Sequence, residues 1–300
     1  MKNILIVGTG ALSTFFAARL AASGASVSIL GTWQNAIEAF NRSGARLLMA
    51  DGSILTAPVL ASSDASICGH ADLVLVLVKS WQTARVADQL QRYLPEQALV
   101  VTLQNGLGNR EYLSQQLGGG RVALGVTTTG ATLLGPGLAR MGGDGLISLE
   151  AHPAINSLYQ LLRAAQLNVE IVSDANMLVW GKLVINTAIN PLTALLSVPN
   201  GALLEKPAAR LVMDALARET ANVASALGIC LPFSNPVSVV EDVARRTAAN
   251  RSSMFQDVKR GAPTEIDAIC GAVVRAGQSR GVSAPVNWTM WQLISALNPG

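Results

Sequence analysis

The chain has few of the residues that build disulfide frameworks, metal centres and nucleic-acid surfaces. Only three cysteines and two histidines occur among 300 residues, and their positions give no metal-ligand spacing. An odd, scattered set of cysteines predicts no disulfide framework and a reducing, cytoplasmic compartment. Aromatic residues make up 4% of the chain, too few for the stacking surface of a single-strand nucleic-acid binder. The net charge of +3 is too small to predict a nucleic-acid partner.

Charged residues are also scarce, at 14% against 50% hydrophobic residues, which predicts a globular rather than a disordered chain. The longest uncharged run, residues 183–204, is long enough to cross a bilayer. Asparagines, prolines and a glycine interrupt it, so we expect no transmembrane helix and no membrane partner. The opening MKNILIVGTG lacks the apolar region and cleavage site of a signal peptide. A length of 300 residues suits one large or two ordinary domains.

The first predicted strand leads directly into a glycine turn. Residues 3–7 are aliphatic, as in a strand buried on both faces, and the turn precedes a helical pattern over 11–22 and a strand over 27–30. This order predicts a dinucleotide-binding unit, in which amides at a helix N-terminus bind the pyrophosphate. An ordinary turn with glycines for geometry alone is the alternative. Serine replaces the third glycine of the usual fingerprint. The residues expected at the cofactor are Gly8, Thr9, Gly10, Ala11, Leu12 and Ser13.

Polar residues follow two of the later buried strands. Lys79 ends the strand predicted over 73–78, and Asn105 follows the one over 99–103. The carboxyl ends of parallel strands are where such sheets bind ligands. The remaining elements predicted in this half are strands over 122–129 and 169–172, a helix over 155–165, and two hairpins that pair 46–49 with 54–59 and 138–140 with 146–149.

The character of the sequence changes after residue 172, because only helical patterns follow. They cover 174–187, 191–196, 207–227, 236–249, 264–280 and 288–297. We therefore predict an α/β chain with an N-terminal Rossmann-type doubly wound domain followed by an all-helical C-terminal domain. The dinucleotide-binding domain is expected over 1–172 and the helical substrate and catalytic domain over 173–300.

One apolar stretch of the helical half carries a single charge. In residues 180–201, Lys182, Asn186 and Asn190 follow at steps of four, which places them on one face of a helix. Buried polar groups need partners, so this face is a candidate site. The alternative is a lysine that extends to water and amides that cap nearby turns. A second polar set lies at 249–257 and 264–267, where capping of helices is again the alternative.

These stretches resemble the ketopantoate reductase (2-dehydropantoate 2-reductase) family across nearly the whole chain. The residues that carry the resemblance occur in family order. They are GTGALS at 8–13, VKSWQ at 78–82, QNGLG at 104–108, WGKLVINTAINPLTAL at 180–195, PNG at 199–201, NRSSMFQD at 250–257 and TEID at 264–267.

The resemblance implies NADPH-dependent reduction of 2-dehydropantoate, a 2-oxo acid, to pantoate by a monomer or homodimer. Lys182 and Glu265 match the catalytic positions. The positions expected at the substrate are Asn105, Asn186, Asn190, Asn200, Asn250 and Ser253. Around the cofactor, Lys79, Asn105, Ala131 and Glu265 join the glycine turn. A same-fold reductase of another 2-oxo acid and a non-catalytic nucleotide sensor remain alternatives.

One position departs from the family in a way that bears on the cofactor. Gly31 stands after the second strand, where members of the family carry an arginine for the 2′-phosphate. NADP is still expected through Lys79 or an arginine such as Arg42 or Arg46, by a reduced margin, and NAD is not excluded. Gly31→Arg is expected to move the preference toward NADPH.

Overall fold

The computed structural model describes residues 2–143 and 145–297. The contacts between residues divide the chain into two compact units. The sheet unit contains 109–175 and the chain before 105, and the helical unit contains Asn105–Gly108 and the chain from 176 on. Compared with the expected range 1–172, the sheet unit continues to residue 175 and lacks the short loop Asn105–Gly108, which belongs with the helices. Residues 1 and 298–300 of the two expected ranges lie outside the described residues. The functions assigned to the two halves stay predictions.

The central strands of the sheet unit, over 4–7, 73–76, 99–102 and 122–127, are short and buried on both faces. The larger of its two sheets has the order β12-β11-β8-β7-β6-β1-β2-β5, and the smaller has the order β4-β3-β10-β9. The strands are β1 Asn3–Val7, β2 Ser26–Leu30, β3 Ala45–Leu48, β4 Ile54–Ala57, β5 Leu60–Ser62, β6 Leu73–Val76, β7 Leu99–Thr102, β8 Val122–Thr127, β9 Ala131–Gly135, β10 Leu138–Met141, β11 Leu146–Glu150 and β12 Asn168–Val172.

Helices cover both faces of the larger sheet, where two separate apolar clusters form. Strands β5, β2, β1, β6, β7 and β8 are parallel neighbours. Their order is that of a doubly wound dinucleotide-binding sheet, whose strand order reverses beside β1. The expected fold class is therefore confirmed. The helices of this unit are α1 Ala11–Ala22, α2 Gln34–Ser43, α3 Thr83–Tyr93, α4 Asn109–Leu117 and α5 Ile155–Ala164.

One predicted hairpin is confirmed and the other is wrong. Strands β3 and β4 pair antiparallel around Asp51-Gly52. Strand β10, by contrast, does not pair with β11. It pairs with β9 through a turn at Gly137, which has φ +62°. Strand β11 instead joins β8 and β12 in the larger sheet. The close approach of Gly145 to the Thr129 backbone lets the chain pass from one sheet to the other.

The helical unit is built around α6, which spans Asn176–Leu196. The sequence predicted two helices here because Pro191 normally ends a helix. The helix continues past the proline because residues on both sides of it are buried. In addition, the Thr193 hydroxyl donates to Ile189 O at 2.9 Å and to Asn190 O at 3.0 Å. Around α6 lie α7 Ala202–Glu205, α8 Pro207–Ala226, α9 Pro236–Arg246, α10 Ser253–Lys259, a π-helical turn Asp267–Gly271, α11 Ala272–Gln278 and α12 Pro285–Ser295.

The apolar composition of α6 does not make it a membrane segment. Within residues 2–143 and 145–297, no helix combines the length and the hydropathy that a bilayer crossing needs.

Candidate active site

The glycine turn after β1 depends on contacts that only glycine allows. Gly8 has φ +130°, and a Cβ there would lie 2.7 Å from Ser13 Oγ and 3.3 Å from the backbone of Leu77. The Gly8 N–H donates to Leu30 O at 2.8 Å, which fixes the turn against the neighbouring strand. Ser13 is fully buried and takes the space that the missing Cβ leaves. The serine at the third fingerprint position therefore fits because position 8 is glycine.

The N-terminus of α1 has the features of an anion site. Gly10 is the N-cap, and its carbonyl accepts the first intrahelical bond from Thr14 N at 3.0 Å. The first turn contains no acidic residue. A Cβ at Gly10 would meet no atom within 4 Å, so the backbone is open to a close approach. Amides at a helix N-terminus and the helix dipole favour a phosphate there. The residues present thus fit the pyrophosphate of a dinucleotide.

The end of β2 offers little charge for the ribose. Gly31 is buried, and Thr32, Trp33 and Gln34 are exposed and uncharged. Arg42 lies in the last turn of α2, eight residues beyond the start of that helix and therefore roughly 12 Å along it. The other candidate, Arg46, is on β3 in the smaller sheet and donates to Pro136 O at 3.1 Å.

Hydrogen bonds fix the loops after β6 and β7. Gln104 Nε2 donates to Val78 O at 3.0 Å and to Thr83 Oγ1 at 2.9 Å. The Thr83 hydroxyl donates in turn to Asn109 Oδ1 at 2.9 Å. Lys79 directly follows Val78 and is partly buried. These bonds hold the backbone that presents Lys79 at the carboxyl edge of the sheet.

In the helical unit, α6 places three polar residues of the predicted site on one face. Lys182 and Asn186 are partly buried, and Asn190 is 8% exposed. Burial lowers the pKa of Lys182 from 10.5 to about 8, although the negative charge of Glu265 opposes this effect and favours the protonated form. A lysine with a pKa near neutrality can donate a proton and recover it at physiological pH. Partial burial and the lowered pKa favour the site interpretation over a lysine that extends into water.

Glu265 lies against the short loop that belongs with the helices. It is 5% exposed, and Asn105 Nδ2 donates to its Oε2 at 3.4 Å. Gly106 follows with φ +83°, and a Cβ there would lie 2.4 Å from Ala268 O. Ala268 is part of the π-helical turn Asp267–Gly271, a form found often at functional sites. The loop thus brings Asn105 to the predicted carboxylate through a close backbone contact.

The PNG turn packs tightly on the segment that precedes α10. Asn200 N–H donates to Asn250 O at 3.0 Å, and the Asn200 side-chain amide donates to Thr247 Oγ1 at 2.9 Å. A Cβ at Gly201 would lie 2.5 Å from the Cβ of Ala248, so glycine permits this approach. Asn200 is buried and Asn250 is exposed. The contacts join the two predicted substrate positions through their backbones.

A chain of hydroxyl groups links α6 to the start of α10. The Ser252 hydroxyl caps α10 by accepting from Phe255 N at 3.0 Å, and it lies 2.7 Å from Thr193 Oγ1. Ser252 and Thr193 are both buried, whereas Ser253 is exposed at the first turn of the helix. The capping alternative therefore describes Ser252, and it leaves the side chain of Ser253 open to solvent.

Comparison with known proteins decides the family. The family profile described as "Ketopantoate reductase PanE/ApbA" matches residues 4–154, and the profile "Ketopantoate reductase PanE/ApbA C terminal" matches residues 174–298. The chain belongs to the ketopantoate reductase family. A 2-dehydropantoate 2-reductase of Halobacterium salinarum is 33% identical over 297 residues, which cover 97% of each protein.

Solved structures agree with this assignment. The crystal structure of a PanE/ApbA family ketopantoate reductase from Ralstonia eutropha has a TM-score of 0.92 at 31% identity and covers 98% of each chain. D-mandelate dehydrogenase, solved with NADH and anilino(oxo)acetate, has a TM-score of 0.91 at 24% identity, with 98% of this chain and 97% of that chain covered. The second comparison shows a shared fold.

In this member of the ketopantoate reductase family, the predicted residues fall into two groups. The glycine turn and Lys79 lie at the carboxyl edge of the larger sheet, and Ala131 begins β9 of the smaller sheet. The expected substrate positions, Asn105 among them, lie in the helical unit. Sequence patterns missed the positioning contacts of Thr193 and Ser252, because the two hydroxyls are 59 residues apart and neither belongs to a periodic pattern.

Proposed function

We propose that this chain reduces 2-dehydropantoate to pantoate with a nicotinamide cofactor, NADPH being preferred. The observation that carries the proposal is the partly buried Lys182, which has a pKa of about 8 and shares a helix face with two asparagines. The names of relatives 33% identical over 97% of the chain support the substrate. Family membership supports an oxidoreductase that acts on a 2-oxo acid.

Reduction of a ketone needs a hydride at the carbonyl carbon and a proton at the carbonyl oxygen. The bound cofactor supplies the hydride when it is present. Lys182 stabilises the negative charge that develops on the oxygen and donates its Nζ proton there. The resulting neutral amine then takes a proton from solvent. With a pKa of about 8, most Lys182 side chains are protonated at pH 7, the form that this step requires.

Glu265 has a positioning and electrostatic role in this scheme. Its charge favours the protonated form of Lys182, so it counteracts the cost of burying the ammonium. The side-chain amides of Asn186 and Asn190 bind carboxylate and hydroxyl oxygens without adding charge, which leaves the lysine as the electrophilic group. The open amides at the N-terminus of α1 would hold the pyrophosphate of the cofactor.

The preference for NADPH rests on family membership and Lys79, because no charged side chain stands at 31–34. Arg42, in the last turn of α2, and Arg46, which donates to Pro136 O, stay candidate partners of the 2′-phosphate. We therefore expect a smaller preference than a charged hydrogen bond at position 31 would give, which is about ten- to a hundredfold. A monomer or homodimer and a cytoplasmic location stay predictions from the sequence.

Steady-state oxidation of NADPH and NADH against a panel of 2-oxo acids tests the function. The panel contains 2-dehydropantoate, its analogue without the hydroxyl group, 2-oxobutyrate and phenylglyoxylate. The proposal expects the highest kcat/KM for 2-dehydropantoate. A higher value for another acid would assign a different substrate to the same chemistry. No oxidation with any of the acids would favour a nucleotide-sensing protein.

A further inference from the structure

The side chain of Thr9, in the glycine turn, occupies the space beside position 31. A Cβ built on Gly31 would lie 2.3 Å from Thr9 Cγ2, and 3.4 Å from both Cβ and Oγ1 of the same threonine. The three nearest atoms thus all belong to Thr9. We propose that Thr9 determines cofactor specificity, because its methyl group occupies the space that any side chain at position 31 needs.

The backbone leaves Gly31 little freedom to move away. The Gly31 N–H donates to Ser62 O at 3.1 Å, and the preceding Leu30 O accepts from Gly8 N at 2.8 Å. These bonds attach both sides of the residue to neighbouring strands, β5 and the end of β1. The φ of Gly31 lies outside the left-handed range, so its conformation suits any L-residue. The obstacle at this position is therefore steric and comes from Thr9.

Threonine is poorly suited to yield to such a contact. It is branched at Cβ, which restricts its χ1 rotamers, and Thr9 directly precedes Gly10, the N-cap of α1. A methyl group 2.3 Å from a new Cβ must move by more than 1 Å to reach the usual carbon–carbon separation of about 3.5–4 Å. Loss of the Thr9 methyl group removes the contact, since the remaining atoms lie at 3.4 Å.

The consequence for the cofactor rests on the proposed function. In doubly wound sheets, the residue at the end of the second strand is beside the adenosine ribose. A bare glycine there gives neither a carboxylate for the 2′-hydroxyl nor a cation for the 2′-phosphate. The Thr9 methyl group opposes any change from glycine here, because an arginine at position 31 must displace it. The expectation that Gly31→Arg by itself shifts the preference toward NADPH is thereby replaced.

Three variants in the cofactor-free protein test the contact. Gly31→Arg should lower the Tm by at least about 3 °C, because overpacking a closed site destabilises. The same change combined with Thr9→Ser should recover most of that loss, since serine lacks the obstructing methyl group. Combined with Thr9→Val, which keeps a methyl group at the branch, it should recover none. Equal losses of Tm in the serine and valine backgrounds would overturn the steric role of Thr9.

Equilibrium binding of NADPH and NADH, followed by the fluorescence of each nucleotide, tests the specificity. The ratio of the two Kd values should change less than about threefold in Gly31→Arg, and at least about tenfold toward NADPH in Thr9→Ser with Gly31→Arg. A change of about tenfold in the ratio of Kd values in Gly31→Arg alone would overturn the role of Thr9. An unchanged ratio in the double variant would also overturn it. Failure of the parent protein to bind either nucleotide would overturn the proposed function together with the specificity. The Tm comparison then judges the contact separately.

Discussion

Replacing Lys182 with methionine is expected to stabilise the protein while it removes the proposed proton donor. Methionine has a similar length and no charge, so it keeps the apolar contacts of the lysine stem. Burial is the main reason that the pKa of Lys182 falls from 10.5 to about 8, since it disfavours the ammonium. The difference corresponds to about 3 kcal/mol, at 1.36 kcal/mol for each pKa unit. This is the cost of keeping the charge in the folded protein.

The sign of the pH dependence follows from the two pKa values of Lys182. Below about pH 8 the lysine is protonated in both the folded and the unfolded chain, and the folded state bears the whole cost. Between about pH 8 and 10.5 the unfolded chain binds more protons, so the free energy of unfolding of the parent rises with pH. The advantage of Lys182→Met is therefore largest at neutral pH and falls by roughly half near pH 9.5.

Urea unfolding of Lys182→Met and the parent at pH 6.5 and 9.5 measures this difference. We expect the variant to gain about 1–3 kcal/mol at pH 6.5, a range that allows for the loss of attraction to Glu265. The matched control is Lys206→Met, because Lys206 is exposed and its removal should change the free energy of unfolding little. The reasoning would be refuted if the variant were less stable than the parent at pH 6.5. It would also be refuted if the variant gained the same free energy of unfolding at both pH values.

Three further changes have expected outcomes. Glu265→Ala should raise KM, lower kcat and move the alkaline limb of the kcat profile to lower pH; a lower Tm with unchanged kinetics would point to a capping role alone. Gly106→Ala should destabilise the protein clearly more than Gly108→Ala in thermal unfolding, because both have positive φ but only the first meets a carbonyl oxygen at 2.4 Å; equal losses would contradict this. Thr193→Val should cost about 1–2 kcal/mol in urea unfolding, because it leaves the buried Ser252 hydroxyl without this partner; no loss would show that the bond contributes little.

The parts of the fold that local sequence dictates were predictable. Continuous aliphatic runs and two glycines in residues 3–30 predict a strand, a turn, a helix and a second strand. The structure has these elements, and each predicted boundary lies within one residue of the observed boundary. The Asp51-Gly52 hairpin also depends on local turn chemistry. The site face of α6 follows from the helical spacing of Lys182 and two asparagines.

The parts that depend on distant contacts were not predictable from the sequence. Strand β10 pairs with β9 rather than β11 because the sheet edge that each strand meets is set by the rest of the fold. Pro191 does not end α6, since burial on both sides outweighs the hydrogen bond that proline removes. The closure of position 31 by Thr9 joins residues 22 positions apart, and only their contact across neighbouring strands reveals it.

The role of Lys182 as the proton donor is tested most directly by single-turnover reduction of 2-dehydropantoate with bound NADPH, followed from pH 6 to 10. The parent should lose rate above pH about 8, where Lys182 deprotonates. Lys182→Ala should be slower by at least about a hundredfold at pH 7, with the Kd for NADPH nearly unchanged. A rate within about tenfold of the parent would show that another group supplies the proton.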